Sequence, residues 1–370
     1  MALTWHLGTR YRMGSNPMKP IPLPKATAHR HKVWLPGALL VFAAVLSLAG
    51  ARAQEAQQPG ATLASPAAEA LEVDASLFTV QSFDWFDSQR QRPVPAKLYL
   101  PAGKTAVGSV PLVVFSHGIG GSRDGYSYLG RYFAAHGYGS LHVQHVGSDR
   151  QIWSGNPFAL PARLSDAAQA SEALNRVQDL RYSLDTMLAA PEGALFDTRR
   201  IVAAGHSYGA NTTMLIAGAQ VEQQGQKVSL RDPRISAAIL ISAPPFYGMG
   251  DPNKILSTID VPTLHITATE DVIQIPGYVS GLQDRMDIFN ATSSERAVPK
   301  VLAVFKDGSH SIFTDRAGTG GLTLNPKVKI ATRQLALAFL NGIPASNYRA
   351  MDAWPLSNAS LVARFEKLEP

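Results

Sequence analysis

The chain has no cysteine among its 370 residues. This excludes disulfides, a thiolate nucleophile and a lipid-modified cysteine. Acidic residues are missing from the first 53 positions, which hold Arg10, Arg12, Lys19, Lys25, Arg30, Lys32 and Arg52. Those seven positive charges exceed the formal net charge of +6, so residues 54–370 carry a net charge of −1. A near-neutral body offers no electrostatic footprint for nucleic acid. No apolar run reaches a comfortable membrane span, the longest candidate being Val33 to Leu48. Internal repeats and heptads are absent as well.

The basic front end has the layout of an export signal. Basic residues to Lys32 precede the apolar stretch, and Ala51-Arg52-Ala53 supplies small residues for cleavage before Gln54. An uncleaved anchor is the competing reading, and Met13 or Met18 offers an alternative start. Residues 1–53 are therefore expected to be a signal peptide of an exported protein, periplasmic or secreted, with no membrane span after cleavage. Residues 54–70, rich in Ala, Gln, Pro and Gly, read as a flexible linker, and 71–370 as one domain.

Leu77 to Trp85 and Val94 to Leu100 alternate as a β-hairpin, with Asp87 to Arg92 at its tip. Pro111 to Phe115 is continuously apolar, as in a strand covered on both faces. Strands are then expected at 139–143, 201–204, 235–241, 261–266 and 300–305, alternating with helices at 126–136, 165–190, 210–218, 281–289 and 326–340. Such alternation implies crossover units and an α/β fold: a mostly parallel central sheet, an antiparallel N-terminal hairpin, and helices on both faces. On the 165–190 helix, Leu174, Val177, Leu180, Leu184 and Leu188 form the apolar stripe, and Arg176, Asp179, Arg181 and Asp185 read as a solvated face. Pro326 is expected in a first turn, Asn341-Gly342 at a helix end, and 220–234 as a solvated insertion.

Chemistry in such a sheet gathers in the loops beyond the carboxyl ends of the strands. Gly205-His206-Ser207-Tyr208-Gly209 joins a buried strand to a helix, as a nucleophile elbow does. Ser116-His117-Gly118-Ile119-Gly120-Gly121 follows another strand and can aim backbone N–H groups at one spot. It lacks a following Lys-Ser/Thr and is not G-x-G-x-x-G, so a nucleotide-binding reading is weak. The expected oxyanion donors are the N–H groups of Ile119 and Tyr208.

Asp271 and His310 each follow a further strand. Their order after Ser207 is that of an α/β-hydrolase triad. Ser207 needs a base to become nucleophilic, His310 has suitable basicity, and a buried carboxylate would orient the imidazole. Glu270 and Asp307 remain alternatives for the acid. His117 is expected to shape its loop through its backbone, and His206 to pack or hydrogen-bond beneath the elbow. His142 and His145 fall on opposite faces of a strand, which argues against a metal pair.

Taken together, the glycine turn, the elbow, Thr269-Glu270-Asp271 and Gly308-Ser309-His310 resemble α/β-hydrolases of the platelet-activating-factor acetylhydrolase and predicted dienelactone hydrolase type. The likeness spans about Phe78 to Leu340. It implies a serine esterase without cofactor or metal that favours short acyl esters, acting on a small-molecule or lipid ester. Dienelactone hydrolases use a cysteine nucleophile, which this chain lacks, so that label names no substrate. Cutinase-like polyester hydrolases are also similar, but Tyr208 stands where they usually carry Met, and their C-terminal disulfide has no counterpart. A serine peptidase and a non-catalytic binding protein are the other readings. The expected pocket wall includes Phe246, Tyr247, Ile275, Phe313 and, from the apolar loop 151–164, Trp153.

Overall fold

The computed structural model describes residues 71–103, 105–223, 226–246, 250–275, 278–294, 296–315 and 321–369. The expected signal peptide and linker lie outside the described residues. In chain order come β1 (Phe78–Asp87), β2 (Arg92–Pro101), β3 (Val110–Ser116), α1 (Ser127–Ala135), β4 (Gly139–Val143), α2 (Leu160–Ala167), α3 (Ala170–Ala189), β5 (Phe196–His206) and α4 (Tyr208–Ala217). Then follow β6 (Gln220–Gln223), β7 (Gln226–Ser229), β8 (Ile235–Ile241), α5 (Pro252–Leu256), β9 (Thr263–Glu270), β10 (Ile273–Ile275), β11 (Tyr278–Ser280), α6 (Leu282–Ala291), β12 (Lys300–Ser309), α7 (Gly321–Gly342), α8 (Trp354–Ser357) and β13 (Val362–Leu368).

Among the described residues one nine-stranded sheet runs β1-β2-β4-β3-β5-β8-β9-β12-β13. The six strands from β4 to β12 pair in parallel, and β1, β2 and β13 are antiparallel additions at the two edges. This is the architecture that the alternation of apolar runs and helical stripes implied. Because successive strand residues face opposite ways, the parallel strands feed two cores. Leu112, Val114, Ile201 and Ala203 pack with Val177, Leu180 and Met214 on one face. Val113, Phe115, Val202 and Ala204 pack with Leu129, Phe133, Leu335 and Phe339 on the other. Burial on both faces is why these strands have no polar alternation.

Several expectations need correction. The helix expected at 165–190 is two helices, because Gln169 is extended (φ −64°, ψ 149°) and starts α3 afresh. Helix α7 begins at Gly321, so Pro326 lies inside it and not in its first turn. The insertion at 220–234 contains the antiparallel hairpin β6–β7. The edge strand β13 and the small hairpin β10–β11 were not anticipated.

The largest correction concerns α3. Arg176 and Asp179 are fully buried, not solvated. Glu172, Arg176, Asp179 and Ser183 recur at helical spacing beside the apolar stripe, and all four are buried. A buried guanidinium and carboxylate survive only when their hydrogen-bonding capacity is filled. Asp179 accepts from Arg90 Nη1 at 2.8 Å and Arg92 Nε at 3.0 Å, both on the tip and strand of the N-terminal hairpin.

Candidate active site

The end of β5 delivers Ser207 in a conformation that few side-chain-bearing residues adopt, with φ 56° and ψ −125°. Close packing of two backbones forces this geometry. A Cβ on Gly209 would stand 1.9 Å from the Ser116 carbonyl oxygen, and one on Gly205 would stand 2.3 Å from the Gly209 carbonyl oxygen. The two glycines of the elbow let the β5–α4 turn press against the end of β3. Ser207 N–H donates to Ile241 O at 2.9 Å, which ties the strained turn to β8.

His310 lies just past β12, and its Nε2 is 2.8 Å from Ser207 Oγ. Its Nδ1 is 2.6 Å from Asp271 Oδ1. A carboxylate can only accept, so Nδ1 carries the proton and Nε2 is left to accept from the Ser207 hydroxyl. Asp271 has no exposed surface. Burial alone would raise its carboxyl, but the His310 hydrogen bond and charge, the Arg285 guanidinium and the Thr267 hydroxyl hold it well below the usual carboxylate range. Thr267 Oγ1 donates to Oδ2 at 2.6 Å. Glu270 is exposed, and the backbone N–H of Asp307 donates to Thr269 Oγ1 at 2.9 Å. The imidazole therefore has Asp271 as its carboxylate partner.

His206 supports the imidazole from below. Its Nε2 donates to the His310 carbonyl at 2.9 Å, and its Nδ1 accepts from Tyr126 Oη at 2.7 Å. Burial, reinforced by His310, lowers His206 to about 3, so it stays neutral with that tautomer.

The glycine turn after β3 lies against Ser207. A Cβ on Gly118 would be 3.2 Å from Ser207 Cβ, so the peptide that carries the Ile119 N–H borders Ser207 directly. Gly120 N–H is used by Ser148 O at 2.8 Å and Gly121 N–H by Gly118 O at 3.0 Å. Among the described residues no acceptor pairs with the backbone N–H of Ile119 or Tyr208. Two free donors beside a serine hydroxyl are what a developing oxyanion requires.

Other expected residues fall elsewhere. Trp153 donates from Nε1 to Gly120 O at 2.9 Å and is 48% exposed, so it packs on the turn and keeps an open face. Phe313 does not line a pocket: it is fully buried, with its ring 6.2 Å from His206 and 6.0 Å from Phe305. Phe246 is half-buried and packs against the core on one face of the sheet. Ile275 ends β10 in the small hairpin that follows Asp271. Tyr247 lies outside the described residues.

His117 acts through its ring as well as its backbone, which the sequence reading did not foresee. Nε2 accepts from His145 N–H at 3.1 Å, and Nδ1 donates to Gly118 O at 2.7 Å. His142 and His145 hold separate partners: His142 Nδ1 donates to Gly125 O at 3.1 Å, and His145 Nδ1 donates to Asp179 Oδ2 at 3.1 Å. Among the described residues no group of three metal-ligating side chains converges. Sequence reading also missed Arg285, whose Nη2 reaches Asp271 Oδ1 at 3.3 Å. Its only sequence signal is a position near the start of the helix that follows Asp271.

The sheet, its N-terminal hairpin and its flanking helices are those of an α/β-hydrolase. Residues 92–152 match the family described as "Platelet-activating factor acetylhydrolase, isoform II". That match supports the platelet-activating-factor-acetylhydrolase-like branch of the fold and an esterase or acetylhydrolase type of hydrolase. It spans β2 to the loop after β4, including the turn at 116–121, and ends before Ser207. No curated protein matches the chain. No helix among the described residues is long and apolar enough to cross a membrane.

Proposed function

We propose that the protein is a serine carboxylic-ester hydrolase acting on short-chain acyl esters through an acyl-enzyme. The observation that carries this reading is the unbroken line of hydrogen bonds from Ser207 Oγ through His310 to Asp271, at 2.8 and 2.6 Å. Ser207 Oγ attacks the ester carbonyl while His310 Nε2 takes its proton, and Asp271 stabilises the imidazolium. The N–H groups of Ile119 and Tyr208 receive the oxyanion. His310 then protonates the departing alcohol. Water, activated by the same imidazole, attacks the acyl carbonyl, and Ser207 leaves with its proton restored.

The short-acyl preference is drawn from the family match and is the finer part of the proposal. The experiment is a panel of p-nitrophenyl esters of rising chain length, run beside Ser207→Ala and with fluorophosphonate labelling. Activity falling with chain length, and labelling lost in Ser207→Ala, is the expected result. Wild-type protein that resists the reagent as fully as Ser207→Ala would overturn the enzyme reading. Rising activity with chain length would overturn the short-acyl preference alone. We further propose export with removal of residues 1–53, which N-terminal sequencing of the mature protein checks: it should begin at Gln54.

A further inference from the structure

We propose that Arg176, on α3 and outside the serine-histidine-aspartate line, is the positioning residue of the oxyanion hole. The proposal rests on the esterase reading above and concerns how that site is held in shape.

Arg176 has no exposed surface. Its guanidinium is spent on the turn that carries Ile119 and on that turn's neighbours. Nη2 donates to the His117 carbonyl and to Ser116 Oγ at 3.0 Å. Nη1 donates to Ser148 Oγ at 2.8 Å, on the loop whose Ser148 carbonyl receives the Gly120 N–H. Nε donates to Thr212 Oγ1 at 2.9 Å, on the helix that the elbow begins. The guanidinium carbon Cζ lies over the Tyr208 ring, 4.5 Å from its centroid. One side chain thus touches both expected donor residues' supports: the carbonyl two positions before Ile119, and the ring of Tyr208 itself.

The positive charge has no direct carboxylate partner among the described residues. It is balanced at one remove. Ser148 Oγ passes a hydrogen bond to Glu172 Oε1 at 2.8 Å. Ser116 Oγ donates to His145 Nε2 at 2.9 Å, and His145 Nδ1 donates to Asp179. Burial lowers Arg176 to about 10, so it remains cationic at neutral pH. A cation held by neutral acceptors beneath a site that develops negative charge is oriented for the transition state more than for the neutral ester.

A fork that fixes a carbonyl and a stacked ring cannot be replaced by an ammonium of similar charge. The test therefore uses Arg176→Lys and Arg176→Met, with Thr212→Val and Ser148→Ala as milder variants that each remove one guanidinium contact. Readouts are kcat and KM on a p-nitrophenyl ester, the rate of fluorophosphonate labelling per folded molecule, and the Ki of a trifluoromethyl ketone that forms a tetrahedral oxyanion at the serine. The expected result is kcat reduced about 10²-fold in Arg176→Lys, with KM changed less than about 3-fold. Ketone affinity and labelling rate should fall in proportion to kcat/KM, and smaller losses of the same pattern should appear in Thr212→Val and Ser148→Ala. If Arg176→Lys does not fold, the two milder variants decide by that pattern.

Variants that lose thermal stability yet keep wild-type labelling and ketone affinity per folded molecule would make Arg176 merely structural, and the proposal would fall. Wild-type protein that takes no phosphonate at Ser207 would instead remove the esterase reading itself.

Discussion

Arg285 Nη2 reaches Oδ1 of Asp271 at 3.3 Å, the same oxygen to which His310 Nδ1 is held at 2.6 Å. Both side chains are buried, Arg285 at 3% exposure and Asp271 at 0%. Arg285 is fixed in turn by Ser280 Oγ at 3.0 Å, on the small hairpin β10–β11. The carboxylate thus belongs both to the proposed catalytic line and to a buried ion pair.

These two roles separate under mutation. Asp271→Asn is expected to lower kcat about 10⁴-fold, because an amide no longer enforces the Nδ1–H tautomer. It should also destabilise the fold by about 3–5 kcal/mol, since it strands the Arg285 guanidinium in the interior. Adding Arg285→Met should recover much of the stability and none of the activity. Denaturant unfolding and kcat on the wild type and both variants check this. Recovery of activity in the double variant would show that the charge at 285, and not the tautomer, limits the first.

Gly209 is the tightest point of the elbow, because the atoms its Cβ would meet are backbone atoms of β3 at 1.9 and 2.6 Å. No rotamer change can relieve such a contact. Gly209→Ala should therefore yield no folded protein, or cost more than about 4 kcal/mol. Gly125→Ala, whose nearest contact would be an ordinary 3.5 Å, should melt near wild type. Thermal melts of the two variants make the comparison, and equal melting temperatures would mean that β3 and the elbow can move apart.

The parallel strands were readable because they are apolar on both faces, and the juxtaposition of Ser207, Asp271 and His310 because each stands just past the end of a strand. The ionic network was not readable. Arg176 and Asp179 alternate with Val177 and Leu180 along one helix, and a charged side chain has the same letter whether it faces water or Ser116. The i, i+4, i+7 recurrence of Glu172, Arg176 and Asp179 was the available signal, but it fits a solvated stripe equally well. Phe313 was misplaced for a related reason. Its position after a strand suggested a rim, whereas the short turn after His310 folds its ring back under His206. Strand β13 escaped because its half-exposed edge pattern, with Arg364, Glu366 and Lys367, lacks the apolar run that marked the central strands.

Acid should unfold the protein through its buried histidines. Burial lowers His142 to about 4 and His206 and His265 to about 3. In the unfolded chain each titrates near 6.5. Their contribution to stability is complete above that value and declines as pH falls from about 6.5 toward their folded values, because only the unfolded chain takes up the proton there. Each histidine adds about 1.4 kcal/mol per pH unit to the slope. His265 lies on β9, bonded to Thr263 Oγ1 at 3.1 Å and away from the proposed site. His265→Asn should thus reduce the slope of unfolding free energy between pH 4 and 6 by about one proton. An unchanged slope would mean that His265 is protonated in the fold without cost.

The C-terminal strand closes the sheet edge that carries the proposed base. β13 pairs with Lys300 to Phe305 of β12, and β12 runs on to His310. Trp354 locks this addition: its indole donates to Ala331 O at 3.0 Å, and its ring meets Phe305 edge-on at 5.8 Å and Phe365 at 5.6 Å. Removing residues 346–370 would leave the ladder groups of β12 unpaired and Phe305 uncovered, so that variant should aggregate. Trp354→Ala keeps the strand and removes the lock. It should cost about 3–5 kcal/mol, the usual range for emptying a buried aromatic site. At a temperature where this variant remains folded, its kcat should stay within about 3-fold of wild type, since Asp271 and the His206 ring also hold His310 in place. A much larger fall in kcat in folded Trp354→Ala would show instead that the edge strand helps to hold the imidazole in register.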